Sequence, residues 1–180
     1  MKRVGLLTTF YEAESGYSLV AVAENQIRML LDGGYDPVVL VQDNFRQPPA
    51  PTIWRPETID LRPVIPFMHL HSGEKEDFEE RVEKIYAALD ENLRDVDVCI
   101  THDIAFQPIY REHLEAVIRY FKERPDFLWL HSIHSCPIGV RRTPPGYIIY
   151  PNDTDKSLVC RAYELGGQEH RVIASRASHS

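Results

Sequence analysis

Apolar residues along this chain change period several times, and the changes divide it into elements. Residues 3–9 (RVGLLTT) are a short apolar run, followed by a polar stretch that contains Gly16. Leu19, Val20, Ala23, Ile27, Leu30 and Leu31 then recur at intervals of three and four, which puts them on one face of a helix. Gly33 and Gly34 end that helix, because glycine takes the left-handed cap conformation that other residues resist. Residues 36–43 (DPVVLVQD) are a β-branched run of the kind a strand buried on both faces requires.

Between Asn44 and Pro66 there are six prolines. They lack the N–H that a ladder or helix uses, so most of this stretch is expected to be irregular, with a short strand over 60–65. Residues 74–94 predict a helix capped by Ser72 or Gly73. Glu74, Glu76 and Asp77 lie at its positive end, and Phe78, Val82, Ile85, Tyr86, Leu89 and Leu93 make its buried stripe. A strand over 96–103 follows. Pro108 then suits the first turn of a helix buried through Ile109, Leu114, Val117, Ile118 and Phe121, and Pro125 blocks its continuation.

Residues 126–131 read as the next strand, 135–146 as a loop rich in Pro and Gly, and 147–150 (YIIY) as a further strand. Asn152, Asp153 or Thr154 caps a helix carrying Leu158, Val159, Ala162 and Leu165. Gly166 and Gly167 end it, and 171–174 (RVIA) is the last strand. Alternation of this kind specifies a single Rossmann-like α/β domain over 1–180, with a mainly parallel sheet of six to seven strands and helices on both faces.

A chain of 180 residues with 43% hydrophobic content can bury one substantial core. No apolar run reaches the roughly 18 residues of a membrane span, and the opening lacks the apolar length of a signal peptide. Three cysteines, Cys99, Cys136 and Cys160, are an odd count at irregular spacing, which fits a reducing, cytoplasmic setting. A net charge of −7 repels a general polyanion, so no nucleic-acid partner is expected. Arg141, Arg142, Arg171 and Arg176 could still meet a phosphate locally.

In an open parallel sheet, ligands bind beyond the carboxyl ends of the strands, where strand order reverses. That rule selects Thr8, Thr9 and Phe10 with the loop to Gly16, then His102 and Asp103, then His131, Ser132 and His134, then Asn152 and Asp153. Polar strand ends also arise simply because strand ends meet water. Gly16 is a lone glycine where a dinucleotide fingerprint would carry three, so that mode of cofactor binding is not expected. His69 with His71, and His131 with His134 and Cys136, offer zinc ligands for a small hydrolase. Neither C-x-x-C nor H-E-x-x-H spacing is present, so neither a metal nor a cofactor is expected.

Together, the element order and the strand-end residues resemble the N-terminal, acceptor-side domain of retaining GT-B glycosyltransferases. In that family a strand, a glycine-bearing loop and a helix open the domain, as GLLTTFYEAESGYSLVAVAENQIRMLLDGGYDPVVLV does here. The resemblance implies that Gly16 faces the donor phosphates. It implies that Thr9, Phe10, His102, Asp103 and His134 shape the acceptor site, and that His131, at the end of FLWLH, is the catalytic histidine beside the transferred sugar. His131→Ala is then expected to abolish transfer with little effect on folding. Asn152 stands where serine is usual, and Ala174-Ser175 where the family has Pro-Asn.

The nucleotide-sugar-binding second domain of that family has no counterpart in these residues. The expected partners are therefore a nucleotide-sugar donor, an acceptor, and a donor domain or partner chain, without which the chain is expected to be inactive. The alternative reading is a non-catalytic Rossmann-like module that binds a nucleotide or sugar phosphate in the same crevice.

Overall fold

The computed structural model describes residues 2–14, 16–49, 51–66, 78–104, 110–133, 141–143, 147–149 and 171–174. It has an α/β fold in which helices flank an all-parallel sheet. The elements run β1 (Arg3–Leu7), α1 (Ser18–Asp32), β2 (Asp36–Gln42), β3 (Asp60–Ile65), α2 (Phe78–Asn92), β4 (Val98–His102), α3 (Arg111–Glu123) and β5 (Leu128–Ile133). Three short strands follow: β6 (Arg141–Thr143), β7 (Tyr147–Ile149) and β8 (Arg171–Ala174). Side by side the strands stand in the order β3-β2-β1-β4-β5, and β8 pairs in parallel along the free side of β5. The chain works outward from β1 to β3, then crosses back to β4 and works outward the other way. The reversal leaves a crevice at the carboxyl ends of β1 and β4.

Alternation along the strands splits the core in two. Leu6, Val39 and Val41 point to one face and pack with Leu19, Val20, Ala23 and Ile27 of α1. Leu7, Val38, Leu40, Cys99 and Trp129 point to the other and pack with α2 and α3. Strand β2 is buried from Pro37 to Gln42 because both faces are covered. A fully buried Ile27, Ile85 or Leu89 contributes roughly 1.5–3 kcal/mol relative to an exposed side chain. A Cβ at Gly5 would stand 3.2 Å from both Cys99 Sγ and Val96 Cγ1, so a larger residue there would have to push these side chains aside by a few tenths of an ångström.

The α1 stripe is narrower than its periodicity predicts: Leu31 is 38% exposed. Helix termination follows the glycines, with Gly34 at φ 75° and the Gly33 N–H donating to the Met29 carbonyl. The loop from Asp43 to Ile59 has no helix, yet it closes the α1 face. Ile53, Trp54 and Ile59 are buried against that helix, and Trp54 Nε1 donates to Glu24 Oε1 at 2.8 Å. Pro63 sits inside β3, which it can do because β3 is an edge strand. The β2–β3 register slips just beyond it, so that Val41 faces Pro63 but Gln42 faces Ile65.

Strand β7 is not a further strand of the main sheet. It pairs antiparallel with β6 in a separate two-stranded ribbon, and β6 itself lies in a stretch expected to be loop. Only three residues join the two strands, far short of the dozen or so a parallel crossover requires, so local antiparallel pairing wins. The cap residues expected for α2, the start of α3 at Pro108 and Ile109, and the helix expected after Asn152 lie outside the described residues.

At the amino ends of the strands a network of charges ties the sheet together. Arg3 Nε meets Asp36 Oδ2 at 2.9 Å, and the same guanidinium pairs with Asp60 and Asp95. Arg62 Nη2 meets Asp60 Oδ2 at 2.6 Å and Asp95 Oδ2 at 2.8 Å. The Arg3 N–H donates to Asp97 Oδ2 at 2.8 Å.

Candidate functional site

Beyond the formal end of β1 the chain continues alongside β2. Thr8 N donates to the Leu40 carbonyl at 3.0 Å, Gln42 N to the Phe10 carbonyl at 3.0 Å, and Arg46 N to the Tyr11 carbonyl at 2.7 Å. The buried Gln42 amide also donates to the Thr9 carbonyl, fixing the strand end from the side. Residues 8–12 are therefore a pinned segment, and the residues after them turn back into α1: the Tyr17 N–H donates to the Glu14 carbonyl at 3.1 Å. Helix α1 starts with Tyr17 in extended backbone and has neither a side-chain cap nor an acidic residue in its first turn.

This arrangement encloses a cavity of about 440 Å³ lined by Thr9, Phe10, Tyr11, Glu12, Glu14, Gly16, Tyr17, Gln42 and Tyr110. Phe10 and Tyr17 meet edge to face at 6.0 Å, and Phe10 meets Trp54 likewise at 5.8 Å, so the aromatic wall is held from behind. A second cavity of about 780 Å³ shares Glu12, Glu14 and Gly16 with the first. It runs on between α1 and the proline-rich loop, past Val20, Ala21, Glu24, Arg46, Gln47 and Pro48.

The electrostatics are acidic. The Glu14 carboxyl titrates above its ordinary value because it shares a hydrogen bond and like charge with Glu12, and the Tyr11 phenol is pushed up by its hydrogen bond to Glu12. Burial raises the Tyr17 phenol, with Tyr110 and Asp103 adding to it, which puts those two groups within electrostatic reach of Tyr17. Among the described residues, the first cavity is lined by no lysine or arginine, and the second only by Arg46.

The residues expected from sequence divide into groups. Thr9, Phe10 and Gly16 line one cavity, and Asp103 stands close by with φ 53°, its N–H donating to the Ser132 carbonyl at 2.9 Å. That left-handed backbone is uncommon outside glycine, although aspartate tolerates it better than most, and such strain concentrates at functional sites. A Cβ at Gly16 would meet nothing within 4 Å, so packing does not require glycine there.

His102 and His131 are buried at the ends of β4 and β5, with 1% and 2% exposure. Thr101 Oγ1 lies 2.8 Å from His131 Nδ1, and the His131 ring stacks on Trp129 at 6.3 Å with an interplanar angle of 6°. His131 thus shares the α2–α3 face with Trp129, opposite the face on which Phe10 packs, and it lines neither cavity. Removing it also takes away the partner of a buried hydroxyl, so His131→Ala carries a folding cost of about 1–3 kcal/mol. His134, Asn152 and Asp153 lie outside the described residues.

Sequence reasoning included Tyr11, Glu12 and Glu14 only as part of the loop to Gly16, and it passed over Tyr17, Gln42 and Tyr110. Gln42 was within reach of the strand-end rule, since it is the polar terminus of β2. Nothing in the spacing of the tyrosines and glutamates sets them apart from solvated loop residues.

Among the described residues no group of three or more His, Cys, Asp or Glu side chains could hold a metal ion. The zinc ligands considered from sequence at His69, His71, His134 and Cys136 lie outside those residues. Cys99 is buried, and burial pushes its thiol well above the ordinary range. No helix among the described residues is long and apolar enough to cross a membrane. No protein-family model and no curated protein sequence matches the chain.

Proposed function

We propose that this chain is the acceptor-side, Rossmann-like domain of a GT-B glycosyltransferase. In this reading it binds a hydroxylated acceptor in the cavity above the reversal between β1 and β4, and a nucleotide-sugar-binding domain elsewhere supplies the donor. The observation that carries the reading is the lining of that cavity: Phe10, Tyr11, Tyr17 and Tyr110 with Glu12, Glu14 and Gln42, and no lysine or arginine among the described residues. Sugar hydroxyls donate to carboxylates and amides, and the C–H faces of a sugar ring pack on aromatic rings. A nucleotide diphosphate would meet like charge there and gain no cation.

Such a division of labour leaves the donor phosphates to a second domain, with Gly16 offering its backbone at the mouth of the cleft where the two would meet. Transfer itself needs both halves, since donor and acceptor must be held together and water kept out. In this reading His131, buried on the α2–α3 face behind the strand ends, positions Thr101 at the end of β4 rather than touching the acceptor, Asp103 stands beside the cavity, and β8 along β5 supplies the sixth of the six to seven strands expected from the alternation.

Saturation-transfer NMR on the isolated chain, with neutral saccharides and with UDP and ADP as probes, tests this. Saccharide signals that fall about tenfold in Tyr17→Ala, with no nucleotide signal, are the expected result. Nucleotide signals that disappear in Tyr17→Ala, with no saccharide binding, would overturn it in favour of a nucleotide-binding module.

A further inference from the structure

Glu12, Glu14 and Gly16 line both cavities, so the space of about 440 Å³ beside Tyr17 adjoins the space of about 780 Å³ along α1. The shared wall is fixed: Tyr11 accepts the Arg46 N–H at 2.7 Å, Glu12 pairs with Arg46 in a short parallel bridge, and Arg55 donates to the Pro48 carbonyl at 2.8 Å. The cleft is therefore built into the fold by the proline-rich loop, whose backbone is held in place against α1.

Resting on the proposed function, we infer that the acceptor is an oligosaccharide of at least two units. Its reacting end lies beside Tyr17 and Tyr110, and the rest of the chain extends past the glutamates against Ala21, Gln47 and Pro48. The two chambers adjoin across the glutamates, so a single sugar or a small aglycone occupies one and leaves the larger empty. The distal chamber offers what an extended saccharide uses: an apolar floor at Val20 and Ala21, an amide at Gln47 and a carboxylate at Glu24. Three glutamates against one arginine disfavour an acidic polysaccharide, in which each carboxylate or sulfate would approach like charge.

The decisive measurement is the affinity of a length series, one to four units of maltose-type and chitin-type saccharides, for the wild type and for Ala21→Trp, whose indole would fill the distal chamber from the exposed face of α1. Affinity should rise at least tenfold between one and three units in a series that binds. Ala21→Trp should return the longer members to the affinity that the single sugar has for the wild type, with the melting temperature unchanged. Single sugars that bind with no gain from added units overturn the inference and leave the proposed function standing. Length dependence that persists in Ala21→Trp places the extension elsewhere and also overturns it. Absence of binding by every saccharide, short or long, removes both.

Discussion

The two ends of the sheet are built from the same strands and treat polar groups in opposite ways. At the amino ends, Arg3 and Arg62 pair with Asp36, Asp60 and Asp95, each charge facing one of opposite sign, and Asp97 accepts the Arg3 backbone N–H. At the carboxyl ends, Glu12 lies against Glu14, a buried Thr101 pairs with a buried His131, and Asp103 holds an unfavourable φ. One end is arranged to satisfy itself, the other to leave capacity for something else. Charge near a strand end is thus not in itself a mark of function; charge that the fold fails to neutralise is a better one.

Perturbing each end should separate stability from binding. The largest effect is expected from Trp129→Ala, because Trp129 is fully buried and touches Tyr120 and Phe127 as well as His131. A loss of about 3–5 kcal/mol in denaturant unfolding is expected, with saccharide binding retained by the protein that remains folded.

Next is a pH effect from His113, which is buried beneath Tyr110 in α3. Burial lowers its pKa to about 4, against a weaker opposing pull from the Pro66 backbone. The unfolded chain therefore takes up a proton near pH 6.5 that the folded chain refuses. Stability should fall by about 3 kcal/mol as pH drops from 6.5 to 4, and then stop falling from this cause. His113→Leu should flatten the stability profile across that window; an unchanged slope would reject the assignment.

A smaller loss, about 1–2 kcal/mol, is expected from Arg3→Ala, which takes the guanidinium from Asp36 and leaves Asp60 and Asp95 to share Arg62 in partial contact with water. Added salt should recover part of it, and saccharide binding should not change. Asp60 carries the pH signature of the same network. Its hydrogen bonds and charge pairing with Arg62 and Arg3 outweigh burial and lower its pKa, so its contribution is complete above the ordinary aspartate value and disappears as pH falls through the depressed one.

The smallest change is of opposite sign. Asp103→Gly relieves the left-handed backbone and should raise stability by up to about 1 kcal/mol while weakening binding. A variant that loses stability instead would show that the Asp103 side chain outweighs its backbone strain.

The two-faced layout was legible because it rests on period. Val38, Val39, Leu40 and Val41 in succession announce a strand covered on both sides, and Ile27, Ile85 and Leu89 lie where the helical stripes put them. Thr9, Phe10 and Asp103 were legible because the strand-end rule needs only the order of elements. Tyr17 and Tyr110 were not: one precedes α1 and the other precedes α3, and their approach depends on how two helices begin on opposite sides of the reversal. The β6–β7 ribbon was missed for a related reason. Arg141 and Arg142 carry no apolar alternation, and their pairing with Ile148 and Ile149 is visible only once the ribbon is formed.

Pro63 and the slipped register beside it have a consequence for how this protein can assemble. Strand β3 has one N–H fewer than a regular strand, and its pleat is interrupted just where Gln42 meets Ile65. A second chain arriving as an added strand would find no continuous ladder to copy, so aggregation by edge pairing is discouraged on that side. On that side a partner is met by side chains of a face or a loop, and shape and chemistry decide the contact rather than backbone hydrogen bonding.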